Sequence, residues 1–92
     1  MIKSFRHRGL RRLYERRDAS GVRADQVKRI RSLLADLETA ATASEMNMPG
    51  YRFHQLKGDL KGFFSVTVSG NWRVVFRFAG GDAYDVDLTD YH

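Results

Sequence analysis

The sequence contains no cysteine among its 92 residues. Disulfides and cysteine-based zinc or iron–sulfur centres are therefore excluded. It also lacks any apolar run that approaches the roughly 18 residues of a transmembrane helix. The first six residues contain no apolar segment of the kind that secretory signals carry. We therefore expect a cytoplasmic protein that makes no membrane contact.

The sequence does have the composition of one folded domain, with 42% hydrophobic and 29% charged residues. Disordered chains are less hydrophobic than this, and 92 residues leave no room for a second domain of ordinary size. A single domain over residues 1–92 is predicted. Its core should be small, because a chain of this length buries only about 60–65% of its unfolded surface.

Positive charge is concentrated in residues 1–31, which we call the basic head. This segment contains eleven basic and three acidic side chains, a net charge of +8, whereas residues 32–92 carry −3. Nine of the eleven are arginines, whose planar guanidinium groups bind phosphate bidentately. An RNA, a nucleic acid–protein particle or an acidic protein is the implied partner, and a solvated basic helix face without a partner is the alternative. The candidate RNA-binding residues of the head are Arg6, Arg8, Arg11, Arg12 and Arg16.

The hydrophobic pattern of the first half predicts two helices. Apolar residues recur every third or fourth position over residues 7–17 and again over residues 24–37. A short edge strand over residues 2–5 precedes the first helix, and a small, polar loop over residues 39–47 follows the second. The basic side chains lie largely off the apolar stripes, so they should face solvent.

The hydrophobic period changes from 3.6 to 2 after residue 50, which predicts antiparallel strands over residues 51–57, 63–69, 72–78 and 83–88. The predicted fold class is α+β, with two helices packed on one face of a sheet of four to five strands. The face predicted to meet the helices carries Phe64, Val66, Val68, Trp72, Val74, Phe76, Phe78, Tyr84, Val86 and Leu88. The opposite face, expected to be wet and to hold a substrate, carries Ser65, Thr67, Asn71, Arg73, Arg77, Asp85 and Asp87.

Three segments resemble a known family. They read PGYRFHQLKGD at 49–59, SVTVSGNWRVVF at 65–76 and DYH at 90–92. With the opening strand and basic helix, essentially the whole chain resembles the HigB toxins of the RelE/ParE superfamily. The resemblance implies a RelE-like fold and a toxin that cuts mRNA in the A site of the 70S ribosome without a cofactor. It also implies a cognate helix-turn-helix antitoxin (HigA-like), with the free toxin a monomer and the complex oligomeric.

The same resemblance supplies the candidate site. It assigns the active centre to His54, Asp90, Tyr91 and His92, places Lys57 and Arg73 near the scissile phosphate, and places Asn71 near the mRNA bases. Arg52 accompanies His54 on the predicted wet face. Cleavage without a metal uses the RNA 2′-hydroxyl as nucleophile and needs a base, an acid and cations for the phosphorane oxygens. Histidine suits both proton transfers, and the roles of His54, Asp90 and His92 as acid or base stay open.

Other interpretations remain at this point. A toxin of the same fold could poison DNA gyrase, as ParE toxins do, or the chain could be an RNA-binding module without chemistry. Arg73 and Arg77 could instead pair with carboxylates on the neighbouring strand. The sequence has no HExxH spacing, so we expect no metal.

The proposed site also has a geometric requirement. Asp90 has the strand parity of Leu88, a core residue. Bringing Asp90 beside Arg73 therefore requires a bend or bulge near Thr89.

Overall fold

The computed structural model describes residues 1–90, and Tyr91 and His92 lie outside the described residues. Two α-helices precede a four-stranded antiparallel sheet of order β1-β2-β3-β4. The elements are α1 (Arg8–Arg16), α2 (Val27–Thr39), β1 (His54–Gln55), β2 (Phe64–Ser69), β3 (Trp72–Ala79) and β4 (Asp82–Asp90). The predicted α+β class is confirmed. None of the helices in residues 1–90 is long and apolar enough to cross a membrane.

Helix α1 has a cap at each end of the predicted range. The His7 Nδ1 atom accepts a hydrogen bond from the Leu10 N–H at 3.1 Å, which satisfies one of the helix's first amide donors. Arg17 adopts a left-handed conformation with φ of 56° and closes the helix. Leu10 and Leu13 are buried on the face that the apolar period predicted. His7 therefore has a structural role at the helix start.

Helix α2 packs its apolar stripe on the sheet, as predicted. Ile30, Leu33, Leu34 and Leu37 are at most 3% exposed. The first turn of the predicted second helix is a 3₁₀ helix over Ala24–Gln26, and α2 itself extends to Thr39.

The segment after α2 is more ordered than the predicted loop. It contains a 3₁₀ turn over Ala43–Met46, whose start carries a capping box between Thr42 and Glu45. Met46 is 1% exposed, so this turn adds a side chain to the core. Because this segment consists largely of short polar residues, the hydrophobic period did not reveal the turn.

The two outermost strands are shorter than predicted. Residues 51–57 contribute only β1, a strand of two residues. Residues 2–5 form no strand; they run parallel to β4 and make isolated bridges from Ile2 to Ala83 and from Phe5 to Val86. The N-terminal segment thus covers the open edge of β4.

A bulge in β4 corrects the predicted core face. Val75 pairs with Asp87, but Arg77 pairs with Tyr84, so β4 has one extra residue at this point. Asp85 adopts φ of 53° there. Beyond the bulge the alternation inverts, which places Ala83 in the core at 0% exposure and puts Tyr84 on the face of Arg77. The prediction that Tyr84 faces the helices was wrong, because a period-2 pattern does not reveal an inserted residue.

The face predicted to be wet is partly covered. Ser65 and Val75 point away from the helices, yet they are only 0% and 3% exposed. The segment between β1 and β2 folds over this face and forms a second apolar cluster of Leu56, Phe63 and Val75. The open part of the face is therefore smaller than the strand pattern predicted and lies at the His54 and Arg73 end.

Two tyrosine–carboxylate pairs join the helices to the rest of the fold. Tyr14 donates its hydroxyl to Glu38, whose Oε1 also accepts the N–H of Ile2. Tyr51 donates its hydroxyl to Asp36. The hydrogen bond to Glu38 raises the pKa of Tyr14 to about 12, and burial together with Asp36 raises the pKa of Tyr51 to about 12.

These shifts predict a loss of stability in alkali. Between pH 10 and 12, Tyr14 and Tyr51 lose their protons in the unfolded chain but retain them in the folded chain, because folding raises the pKa of both. The contribution of these two tyrosines to the free energy of unfolding is thus complete below pH 10 and disappears as the pH rises toward 12. Urea unfolding from pH 9 to 12 should show a steeper fall for the wild type than for Tyr51→Phe. Parallel curves would contradict the assignment.

Candidate active site

The candidate site is built on the sheet face that points away from the helices, which we call the outer face. His54 in β1 pairs directly with Ser65 in β2, so their side chains share a face. Tyr51 is buried and Phe53 packs against the core, which orients His54 outward as predicted. The imidazole is exposed to solvent. It is therefore accessible to a large ligand such as RNA.

Arg73 reaches the same point from the next strand. It pairs with Thr67, two residues along β2 from Ser65, and its Nη1 donates to the Ser65 Oγ at 3.3 Å. Ser65 is fully buried. Because His54 is the cross-strand partner of Ser65 and Arg73 bonds the Ser65 hydroxyl, the imidazole and the guanidinium lie on one face of the sheet, near the same buried serine. This arrangement offers a proton-transfer group and a fixed cation on one surface.

Lys57 lies two residues after β1, where it precedes the 3₁₀ turn Gly58–Leu60. Its side chain is exposed beside a cavity of about 430 Å³ that Lys61 also lines. Lys57 is thus on the segment that leaves His54 and adds positive charge near that end of the outer face. A phosphate backbone would meet this charge at the site's margin.

The described end of β4 lacks the bend near Thr89 that was required to bring Asp90 beside Arg73. The ladder runs without a shift from the Val74–Leu88 pair through Arg73–Thr89 to Trp72–Asp90. The bend required near Thr89 is absent from the described strand, and the bulge lies at Asp85 instead. Alternation therefore places Asp90 in register with Trp72, one rung from Arg73. Tyr91 and His92, the remaining members of the predicted centre, lie outside the described residues.

Two predicted RNA contacts lie in turns. Asn71 is exposed in the tight β2–β3 turn, directly before Trp72 and two residues from Arg73. Arg52 is exposed and has φ of 48°, an uncommon conformation for arginine. Asn71 is thus two residues from Arg73 in the chain, and Arg52 two residues from His54.

The basic head contains several arginines that are engaged within the protein. Arg6 lies over the Phe63 ring with its Cζ 5.0 Å from the centroid and is 4.0 Å from Asp85. Arg11 pairs with Glu15 at 3.3 Å, and Arg12 is 3.9 Å from Asp18. Arg8 and Arg16 are exposed on α1. Exposed ion pairs of this kind contribute little to stability, so Arg6, Arg11 and Arg12 could exchange a carboxylate for phosphate.

Arg77 confirms one of the structural alternatives. Its Nη1 is 3.3 Å from the Asp85 carboxylate on β4. Asp85 is thus neutralised by two arginines, of which Arg6 is the other. Arg77 belongs to a structural ion-pair network, whereas Arg73 bonds a hydroxyl at the candidate site.

Within residues 1–90, no three His, Asp or Glu side chains come close enough to hold a metal ion. A larger groove of about 520 Å³ lies between α1 and α2 and includes Tyr14 and Glu38. It is on the opposite side of the molecule from the outer face. The chemistry-bearing residues are therefore on an open surface, which suits a polymer substrate better than a small molecule.

Sequence reasoning missed two residues that shape this region. Ser65 was predicted to be a wet-face residue, but it is the buried acceptor for Arg73. Arg29 was grouped with the basic head, but its guanidinium bonds two backbone carbonyls near the site. No period or motif distinguishes such residues from ordinary surface polar residues.

Solved structures share this architecture. A chain of the heterotetrameric YoeB–YefM toxin–antitoxin complex from Staphylococcus aureus superposes with a TM-score of 0.62 at 16% identity, covering 100% of this chain and 98% of that chain. A YafQ variant from E. coli gives a TM-score of 0.60 at 12% identity, covering 98% and 93%. At these identities the likeness establishes the fold alone.

The sequence comparisons identify the protein family to which the chain belongs. Endoribonuclease HigB of Proteus vulgaris is 48% identical over 92 residues, 100% of both chains. Toxin HigB-1 of Vibrio cholerae serotype O1 is 36% identical over 53 residues, 56% of each chain. A family model for the RelE-like toxin of type II toxin-antitoxin system HigB matches residues 3–92. The chain belongs to this HigB-like toxin family, and the resemblance found in its sequence is confirmed.

Proposed function

We propose that this toxin is an endoribonuclease that cleaves mRNA in the A site of the ribosome. The observation that carries the proposal is the placement of His54, as the cross-strand partner of Ser65, and of Arg73, which bonds the Ser65 hydroxyl, on the same outer face. The full-length relative named as an endoribonuclease supports the same activity. The chemistry uses the RNA's own 2′-hydroxyl and requires no metal or cofactor.

In the proposed reaction a base removes the 2′-hydroxyl proton, and the oxygen attacks the adjacent phosphorus. The phosphorane then expels the 5′-oxygen, which takes a proton from an acid, leaving a 2′,3′-cyclic phosphate and a 5′-hydroxyl. His54 and His92 carry the two proton transfers. Arg73 and Lys57 stabilise the phosphorane oxygens, because fixed cations act most strongly where charge develops.

Asp90 and Tyr91 complete the proposed centre. Because Asp90 is one rung from Arg73 and in register with Trp72, we assign it the role of orienting His92 rather than contacting the phosphate. Tyr91 stacks on a base or positions the nucleophile, a contact worth about 1–3 kcal/mol per base. Asn71, which borders the site, contacts the mRNA bases, and Arg52 adds a contact to the backbone.

Within the basic head, the arginines between residues 6 and 16 supply affinity for the ribosome in this proposal. Arg8 and Arg16 are exposed on α1. Arg11 pairs with the solvent-exposed Glu15, and Arg12 lies 3.9 Å from Asp18. Phosphates of ribosomal RNA would compete for these guanidinium groups. The 70S ribosome would thereby present the A-site codon to the outer face.

The cellular partner is proposed to be a cognate helix-turn-helix antitoxin of the HigA kind. Family membership supports an antitoxin, and the YoeB structure contains YefM in a heterotetramer. We propose that the free toxin is a cytoplasmic monomer and that the antitoxin complex is oligomeric.

The test incubates the protein with mRNA, with and without programmed 70S ribosomes, and maps new 5′ ends. Cuts inside A-site codons that require ribosomes are expected. Cleavage of naked RNA at equal rates would contradict ribosome dependence. Intact mRNA together with inhibited DNA supercoiling would instead identify a gyrase poison, and salt-sensitive RNA binding without product would identify a binding module.

Replacing or removing His92 should lower cleavage by about 10²-fold, because one proton-transfer group is lost. The measurement is single-turnover cleavage on programmed ribosomes. Cleavage at the wild-type rate by His92→Ala would remove His92 from the mechanism.

A further inference from the structure

The guanidinium of Arg29 joins α2 to both chain segments that build the candidate site. Its Nη2 donates to the Gly50 carbonyl at 2.8 Å and to the Thr67 carbonyl at 3.0 Å. Its Nε also donates to Thr67, at 3.3 Å. The Cζ lies 4.7 Å from the centroid of the Tyr51 ring. One side chain thus makes three hydrogen bonds and one ring contact.

The segment held in this way leads into β1. Tyr51 is 7% exposed and donates its hydroxyl to Asp36 of α2. On either side of it, Gly50 and Arg52 have φ of 84° and 48°. These two positive φ values flank Tyr51 and leave the turn outside the regular strand pairing, so the side-chain contacts of Arg29 and Tyr51 add to the few backbone hydrogen bonds that position it. His54 follows only three residues after Tyr51.

The second segment held is the part of β2 that pairs with Arg73. The Thr67 N–H donates to the Tyr51 carbonyl at 2.8 Å, while the Thr67 carbonyl accepts from Arg29. Thr67 is the direct partner of Arg73 in β3. The β2 strand bulges immediately afterwards, between Thr67 and Ser69. Arg29 therefore fixes the backbone where the ladder becomes irregular.

We propose that Arg29 is a positioning residue, which sets the separation of His54 and Arg73 by tying the turn before β1 to the Thr67 backbone of β2. The inference rests on the endoribonuclease function proposed above. A proton-transfer group and a phosphate cation must hold their geometry closely, because a displacement of about 1 Å can cost on the order of 10²-fold in rate. Arg29 acts through these residues and does not itself contact RNA.

The test variant is Arg29→Lys. Lysine keeps the charge but, as a compact ammonium group, it cannot bond both carbonyls and stack on Tyr51 together. We expect kcat on programmed ribosomes to fall about 10- to 100-fold with KM unchanged. The Thr67 amide should also exchange its hydrogen faster, while amides of the β3–β4 ladder keep their protection.

Two control variants separate positioning from charge and from stability. Arg31→Lys makes the same chemical change on the same helix, at a residue whose side chain makes no hydrogen bond or ion pair within residues 1–90. Tyr14→Phe removes a hydrogen bond to Glu38 remote from the outer face, and so lowers stability without touching the site. Both should retain the wild-type kcat.

An unchanged kcat in Arg29→Lys would overturn the proposal. An equal fall in kcat for Tyr14→Phe would also overturn it if that variant has the same thermal midpoint of unfolding as Arg29→Lys. A general loss of folding would then explain both results. If the wild-type protein cuts no RNA, the endoribonuclease function fails separately. The positioning claim is then decided by the Thr67 exchange rate, and an unchanged rate overturns it.

Discussion

Replacing His54 by alanine should lower ribosome-dependent cleavage by about 10²–10⁴-fold, because a group that transfers a proton in the transition state is lost. The side chain is exposed and makes no hydrogen bond to another described residue, so the substitution leaves the core untouched. Stability should change by less than about 0.5 kcal/mol. Single-turnover rates on programmed ribosomes, with circular dichroism for folding, measure both quantities.

Gln55→Ala is the matched control for this substitution. Gln55 is the other residue of β1, equally exposed, and its side chain points to the opposite face because it pairs with Phe64. Its loss should leave cleavage within about twofold of the wild type, whereas His54→Ala should be nearly inactive. Similar rates for the two variants would show that His54 takes no part in the chemistry, as the gyrase-poison alternative requires.

Replacing Arg73 by methionine should lower the cleavage rate by about 10²–10³-fold, the usual cost of losing one electrostatic stabiliser in an active site. Methionine retains much of the apolar stem that packs on the outer face, so the main loss is the guanidinium group. Its bond to the Ser65 hydroxyl disappears as well. Arg73→Lys should be intermediate, because the charge remains while the planar fork is lost.

Arg77→Met serves as the control on the same strand and the same face. Arg77 lies four residues from Arg73, about 13 Å along an extended strand, and pairs with Asp85. Because exposed pairs contribute about 0–1 kcal/mol, this variant should fold and cleave nearly as the wild type does. Equal losses in both variants would show that outer-face charge in general, rather than Arg73, governs cleavage.

The helices and the class of fold were predictable from the sequence. The 3.6-residue period of the apolar side chains located α1 and α2 to within a few residues, since each helix buries one continuous stripe. The change to a period of 2 identified the antiparallel sheet. The orientation of His54 also followed from the pattern, because Tyr51 and Phe53 are apolar and enter the core.

The details that arrange the candidate site were not predictable. The bulge at Asp85 depends on the N-terminal segment, since the Ser4 Oγ accepts the Asp85 N–H at 2.8 Å. That contact joins residues 81 positions apart in the chain. The bulge places Ala83 rather than Tyr84 in the core and leaves the strand straight near Thr89. A local period carries no information about such a distant partner.

The amino-acid order by itself determined an α+β domain, its helix stripes and the membership in a toxin family, because these depend on local periodicity and on short motifs. Only the tertiary structure decided that Ser65 is buried, opposite His54 and bonded to Arg73. It also decided that Arg29 bonds the carbonyls of Gly50 and Thr67. Both arrangements are made by residues far apart in sequence, and their contacts exist only once the strands and helices have packed.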